Sequence, residues 1–244
     1  MRNLNNEFAD TDDRRYAYDF DYRMHEYMER TFLPHLPSGR ALEMGCYHGR
    51  FTRRLERLFA AVTVVEGASD LIEVARKEVG PSVCFELCRF EEFLPEGTFD
   101  AVFLLHTLEH LDDAVAVLNR IRGWLSAEGK LFLAVPNAYA ASRQIAVRMG
   151  LISHPTAVTE GEARHGHRRT YDAKSLEADV RKAGLRVIES GGIMFKPLAN
   201  FQFDRALRES VIDDAYVEGC FELGKSYPEL CASLFAVCQR GDGA

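Results

Sequence analysis

Three groups of residues in this 244-residue chain are of types and spacings that can do chemistry. The first is Leu42-Glu43-Met44-Gly45-Cys46-Tyr47-His48-Gly49, an apolar run that breaks into two glycines spaced G-x-x-x-G. A glycine at such a break lets backbone approach a ligand closely. The second is Glu66, seventeen residues after Gly49 and directly after Val62-Thr63-Val64-Val65. A carboxylate placed there can accept hydrogen bonds from both hydroxyls of a ribose. The third is His106, Glu109 and His110, with His167 further along. Histidine titrates near neutrality and is the usual group for removing a proton from a hydroxyl or an ammonium. The combination describes a nucleoside-containing cofactor beside a proton acceptor. A dinucleotide site needs G-x-G-x-x-G to admit a pyrophosphate at a helix N-terminus. Only Gly45 and Gly49 are present, so a nicotinamide oxidoreductase is the weaker reading.

These residues fall where strands give way to helices. Ala41–Met44 reads as a short strand, followed by a helix with Phe51, Leu55 and Phe59 at helical spacing. Val62–Val65 is a β-branched strand, and Ser69 is suited to cap a helix over 70–79. Val83–Leu87 and Phe99–Leu105 read as strands, the second apolar enough to be buried on both faces. Asp112 or Asp113 starts a long helix; Glu128-Gly129 then turns the chain into the strand Leu131–Val135. Beyond Pro136 come a helix over 140–149 stopped by Gly150, a polar loop rich in His and Arg, and a helix capped by Asp172 and stopped by Gly184. A strand over 186–190, an insertion over 195–228 with one or two helices, and an apolar strand over 230–238 complete the chain. Tyr16–His35 reads as an amphipathic helix ahead of this core, and residues 1 to about 14 as loosely held. Strand–helix alternation predicts an α/β fold, a parallel doubly wound sheet in which ligands bind outside the carboxyl ends of the strands.

Composition narrows the function classes. The net charge is −7, whereas binders of long nucleic acid usually carry a basic excess. The six cysteines form no CxxC pair, which removes zinc-ribbon and thioredoxin-like readings and fits a reduced, cytoplasmic compartment. Cys84 and Cys88 share one face of a strand and read as core. Met1–Arg15 is polar and does not read as a signal peptide, and no apolar run reaches membrane-spanning length.

The ordered set of motifs resembles the class I S-adenosylmethionine-dependent methyltransferases, in the small-molecule branch that includes the ubiquinone-biosynthesis O-methyltransferases. Leu42–Gly49 resembles motif I, usually D/E-x-G-x-G-x-G, with Tyr47 in place of the middle glycine. Val64-Val65-Glu66 resembles the ribose-binding strand end, and Cys88-Arg89-Phe90-Glu91 the adenine-contacting one. Phe99–Val102 with His106–Leu111 resembles motif IV, and His167-Arg168-Arg169-Thr170-Tyr171 a stretch common in that branch. The resemblance covers roughly residues 40–184. It implies a Rossmann-like sheet of seven mostly parallel strands with helices on both faces, the last strand antiparallel. It implies S-adenosylmethionine as cofactor and S-adenosylhomocysteine as product, held by Glu43, Gly45, Cys46, Gly49, Glu66, Gly67, Arg89, Phe90 and His106, with Tyr18 and Tyr22 folding over from the N-terminal helix. His110 and His167, and after them His106, are the expected catalytic bases. The expected reaction is methyl transfer to an oxygen or nitrogen of a small molecule, such as a sugar or natural-product intermediate.

The expected organisation is an N-terminal lid region, residues 1–35, and a methyltransferase domain, residues 36–244, with insertions at 138–170 and 195–228. No resident metal is expected. The rival enzyme reading is metal-assisted O-methylation through His106, Glu109, His110 and His167, since a similar constellation resembles the small-RNA 2′-O-methyltransferases. A third reading is a binding module that holds S-adenosylmethionine without turnover. Blander roles compete at single residues: Glu109 can cap a helix, and His165 and His167 can be solvated surface. His25, His35, His48 and His154 have no chemistry-bearing neighbours in sequence. The acceptor and the oligomeric state are not readable at this level.

Overall fold

The computed structural model describes residues 4–6 and 17–241. The expectation for residues 1–14 therefore lies outside the described residues, apart from a 3-10 turn at Leu4–Asn6; Tyr16 also lies outside them. The chain then runs α1 (Asp19–Phe32), β1 (Arg40–Met44), α2 (Thr52–Leu58), β2 (Ala61–Glu66), α3 (Ser69–Ala75), β3 (Cys84–Leu87), β4 (Phe99–Leu105), α4 (Ala114–Trp124) and β5 (Leu125–Pro136). It continues through α5 (Ala141–Arg148), α6 (Glu160–Arg164), α7 (Ala173–Lys182), β6 (Leu185–Phe195), α8 (Asn200–Arg208), α9 (Asp214–Gly224) and β7 (Cys231–Arg240). The strands form one seven-stranded sheet in the order β3-β2-β1-β4-β5-β7-β6. β7 runs antiparallel between β5 and β6, and the other neighbouring pairs are parallel. The switch in strand order lies between β1 and β4, where an open α/β sheet opens a crevice for ligands.

Apolar cores cover both faces. On one, Phe103 stacks on Phe132 at 4.8 Å, and Phe32 of α1 meets Phe132 edge-on at 5.3 Å. On the other, Val117, Leu118 and Ile121 of α4 lie with Leu176 and Val180 of α7 against Leu131, Leu133 and Val135. Asp113 and Asp172 cap α4 and α7 as expected, accepting from Ala116 N and Ser175 N at 2.9 and 2.7 Å.

Four local expectations are corrected. Ala68, not Ser69, occupies the N-cap of α3; Ser69 is already helical, and its hydroxyl bonds Asp70 at 3.1 Å. That helix ends at Ala75, short of residue 79. Cys84 is exposed rather than core, because β3 is an edge strand with little covering it. β6 runs on through Gly191-Gly192 to Phe195. A Cβ at Gly191 would sit 2.8 Å from the Phe235 ring, and one at Gly192 2.2 Å from Pro228 O. They mark close approach within the sheet.

Candidate active site

The carboxyl ends of the parallel strands open into one cavity of about 960 Å³, roofed by α1 and the start of α8. Its floor follows the strand order. Gly45 comes after β1, Glu66 ends β2, Arg89 and Phe90 follow β3, His106 follows β4, and Pro136–Asn137 close β5.

The nucleoside side is built by backbone. Gly45 holds φ +83°, and its N–H donates to Val65 O at 2.9 Å, tying β1 to β2 at the crevice. A Cβ there would sit 3.0 Å from Thr107 Oγ1. Glu66 is 8% exposed and accepts from Ala68 N at 2.9 Å and Cys46 N at 3.2 Å. Burial pushes its carboxyl up, opposed by these N–H donors. Each oxygen retains capacity for a ribose hydroxyl. Gly67 lies under Leu4, with a would-be Cβ 2.4 Å from Leu4 Cδ1. Gly45, Glu66, Gly67, Arg89, Phe90, His106, Tyr18 and Tyr22 all line the cavity. An acidic strand end, bare glycine backbone and an aromatic ring fit a ribose, a close-lying chain and an adenine, so these residues suit an adenosyl cofactor.

Three expected contacts stand behind the wall instead. Glu43 is 3% exposed, and Thr52 Oγ1 donates to it at 2.6 Å. Burial pushes its carboxyl up to about 8. Cys46 presents its N–H to Glu66, and burial pushes its thiol up. Gly49, at φ +76°, admits α3: a Cβ would lie 2.8 Å from Ala75 Cβ. Glu43 and Gly49 shape the turn, and the Cys46 N–H orients Glu66.

Tyr47 takes the place of a glycine and also its conformation, at φ +46°. Its ring stacks on His48 at 3.8 Å and lies parallel to Tyr22 at 6.4 Å, while Tyr22 Oη shares a hydrogen bond with His48 Nδ1 at 3.0 Å. Tyr47 thus takes part in an aromatic ladder joining α1 to the β1–α2 loop. His25, bland by sequence, also lines the cavity; burial holds its imidazole down at about 4.

On the acceptor side, the structure brings His110 and His167 together, with ring centroids 4.6 Å apart and edge-to-face. Glu109, 1% exposed, joins them, and the ligand-capable atoms of the three lie within 4.8 Å of one another. Neither Glu109 oxygen has a hydrogen-bond partner among the described residues, and burial pushes the carboxyl up to about 8. His167 is delivered by the insertion after β5. There Thr159 and Glu162 cap α6 reciprocally, Arg143 of α5 pairs with Glu162 at 2.6 Å, and Arg168 N donates to Glu109 O at 2.8 Å. His106 stands apart from the trio, with Nε2 and Ser233 Oγ 2.9 Å apart. Burial holds its imidazole down at about 3.

Lys196, Asn200 and Ser233 also line the cavity and were not found by sequence reasoning. They carry no motif, and Ser233 reaches His106 across 127 residues. Among the described residues, no helix is long and apolar enough to cross a membrane.

Residues 15–190 match the methyltransferase-domain family. The chain is similar to the ubiquinone biosynthesis O-methyltransferase of Xanthomonas axonopodis pv. citri, 32% identical over 170 residues, covering 67% of this chain and 70% of that protein. The corresponding protein of Xanthomonas euvesicatoria is 31% identical, with 68% and 70% covered. Among solved structures, the N-methyltransferase NodS of Bradyrhizobium japonicum with bound S-adenosylhomocysteine superposes with TM-score 0.59 at 16% identity, covering 98% of this chain and 97% of that one. The magnesium protoporphyrin IX methyltransferase of Synechocystis gives 0.58 at 13% identity, with 91% and 84% covered; both share the fold. The chain belongs to the methyltransferase-domain family, and it is a class I S-adenosylmethionine-dependent methyltransferase.

Proposed function

We propose that the protein methylates a hydroxyl oxygen of a small molecule, with His110 and His167 as the groups that take the proton. The observation that carries this reading is the His110–His167 pair at the cavity wall beside the unpartnered Glu109. The name of the Xanthomonas relatives, O-methyltransferases, supports oxygen over nitrogen. S-adenosylmethionine, when bound, supplies a methyl group on a sulfonium that is already a good leaving system. The chain's own work is therefore positioning, water exclusion and proton removal. Glu66 holds the ribose hydroxyls, Gly45 and Gly67 leave room beside the backbone, and Arg89 with Phe90 borders the adenine. Burial makes His106 a weak base and its Nε2 is engaged by Ser233, which suits it to lining the methyl-transfer chamber rather than to proton removal. The N-terminal region within residues 1–35 and the insertions 138–170 and 195–228 act as lid and walls, with α1, α5, α6 and the start of α8 lining the cavity. Among the described residues the cavity lining carries more carboxylates than Arg and Lys side chains, which favours a small-molecule acceptor over nucleic acid.

One observation favours a second reading. Glu109, His110 and His167 offer an oxygen and two nitrogens close enough to share one divalent ion. Such an ion would lower the pKa of an acceptor hydroxyl directly. His106 is not a member of this group.

The test begins with calorimetric titration of S-adenosylhomocysteine. Wild type is expected to bind in the micromolar range, about −8 kcal/mol, and Glu66→Ala to lose at least tenfold. His110→Ala and His167→Ala are expected to keep that affinity. Against hydroxylated acceptors they should lose on the order of 10²–10⁴ in kcat. Failure of wild type to bind would sink the reading of the nucleoside side. Activity abolished by a chelator and restored by a divalent ion would replace the base reading with the metal one.

A further inference from the structure

Lys196 follows β6 at the sheet edge and is 7% exposed, yet it lines the cavity. Among the described residues its ammonium donates to Asn200 Oδ1 alone and has no carboxylate within ion-pair distance. Asp21 and Asp204 act on the ammonium from beyond ion-pair distance, and their oxygens are hydrogen-bonded to neutral amides. Asp21 Oδ1 accepts from Asn200 Nδ2 at 2.5 Å, and Asp21 Oδ2 from Tyr18 N at 2.8 Å. Asp204 accepts from Asp19 N at 3.0 Å and Phe20 N at 2.8 Å. The face of Phe20, 5.6 Å from Nζ, is the other contact of the ammonium. A buried cation with no carboxylate in direct contact is costly, and an anion brought against it recovers part of that cost. The direct contacts of the ammonium are therefore one neutral amide and one ring, with the Asp21 and Asp204 carboxylates further out.

We infer that Lys196, positioned by Asn200, is the counter-charge for a carboxylate carried by the methyl acceptor. Two sources of carboxylate enter this cavity, the acceptor and the methionine end of the cofactor. The sheet order favours the acceptor. β6 lies four strand spacings from β1, about 19 Å at ~4.8 Å each, while the nucleoside side is built on β1, β2 and β3. Burial, opposed by Asp21 and Asp204, holds the ammonium down at about 8, so it is still charged near neutrality and gains from an incoming anion. The assignment rests on the reading of the cavity as a methyl-transfer chamber.

The experiment uses wild type, Lys196→Met and Lys196→Arg, with thermal melting to confirm folding. S-adenosylhomocysteine and its decarboxylated analogue are titrated first. 3,4-Dihydroxybenzoate and catechol, the same diol with and without a carboxylate, are then titrated into protein saturated with S-adenosylhomocysteine. The expected result is at least tenfold tighter binding of the benzoate than of catechol by wild type. That preference should vanish in Lys196→Met and persist in Lys196→Arg, with S-adenosylhomocysteine affinity unchanged within twofold. Absence of the preference in wild type, or its survival in Lys196→Met, overturns the inference. A tenfold loss of S-adenosylhomocysteine affinity in Lys196→Met, with the decarboxylated analogue unaffected, moves the carboxylate to the cofactor and overturns the assignment to the acceptor. Failure of wild type to bind S-adenosylhomocysteine would instead count against the chamber itself.

Discussion

Tyr47 and His106 both stand at the cavity with φ angles that side chains rarely adopt, +46° and +49°. Such a conformation costs a non-glycine residue about 1–2 kcal/mol. At Tyr47 the neighbouring rings of His48 and Tyr22 offset it, so replacement of the family's glycine keeps the turn and adds a link to α1. Truncating the ring leaves the strain without the stacking, whereas glycine removes both. Tyr47→Gly is therefore expected to be more stable than Tyr47→Ala by about 1 kcal/mol. Chemical denaturation of the two variants decides it; equal stability would mean the positive φ carries no cost here. The motif residues were readable because each lies within a few positions of a strand end. The same logic could not tell Glu66, which faces the cavity, from Glu43 and Gly49, which face Thr52 and Ala75. Which side of a turn a residue faces depends on helices packed from outside the motif. Ser233 was invisible for a related reason, since its partner His106 lies 127 residues away; Lys196 pairs locally with Asn200, but the α1 side chains that complete its surroundings come from the other end of the chain.

At the scale of elements, apolar runs and Gly or Asp punctuation located most strands and helices to within a few residues, but β5 starts six residues before the expected Leu131, running through the expected turn at Glu128-Gly129, and β6 ends five residues beyond 190. The antiparallel insertion of β7 between β5 and β6 was implied only by the resemblance, because an apolar run has no direction. The least readable feature is how the roof is fastened. The N-cap of α1, Tyr18, makes no side-chain cap to its first turn. Asp204 of α8 supplies it instead, accepting from Asp19 N and Phe20 N, while Phe20 and Phe203 meet at 4.5 Å. A cap given from 185 residues away makes the helix end and the contact of α1 with α8 a single interaction. Removing such a cap typically costs about 1 kcal/mol. Asp204→Ala is expected to show that loss, with faster hydrogen exchange at the amides of Asp19 and Phe20. If exchange there is unchanged while the whole protein melts earlier, Asp204 serves α8 and not the roof.

Over the whole molecule, buried titratable groups set opposing limits on stability with pH. Burial holds His25 at about 4 and His106 at about 3, below the ordinary 6.5. Between pH 6.5 and about 4 the unfolded chain binds protons that these folded imidazoles refuse. Their contribution is full above 6.5 and is lost as pH falls. Glu43 acts in the other direction, raised from 4.5 to about 8. The folded protein keeps this proton where the unfolded chain has released it, so its contribution is full below 4.5 and is lost as pH rises through 8. The melting temperature should accordingly peak on the acid side of neutrality and decline in both directions. Glu43→Gln separates the two arms, because an amide accepts from Thr52 without ionising. At pH 5 the variant should melt within a degree or two of wild type. By pH 8 it should be the more stable of the two, by up to a few kcal/mol if the full shift is expressed, with the acid decline untouched. Melting curves for the two proteins that stay parallel from pH 5 to 8.5 would show that Glu43 ionises normally. The turn beneath Glu66 would then hold a buried carboxylate rather than a neutral acid, and Thr52 would be donating to a charge.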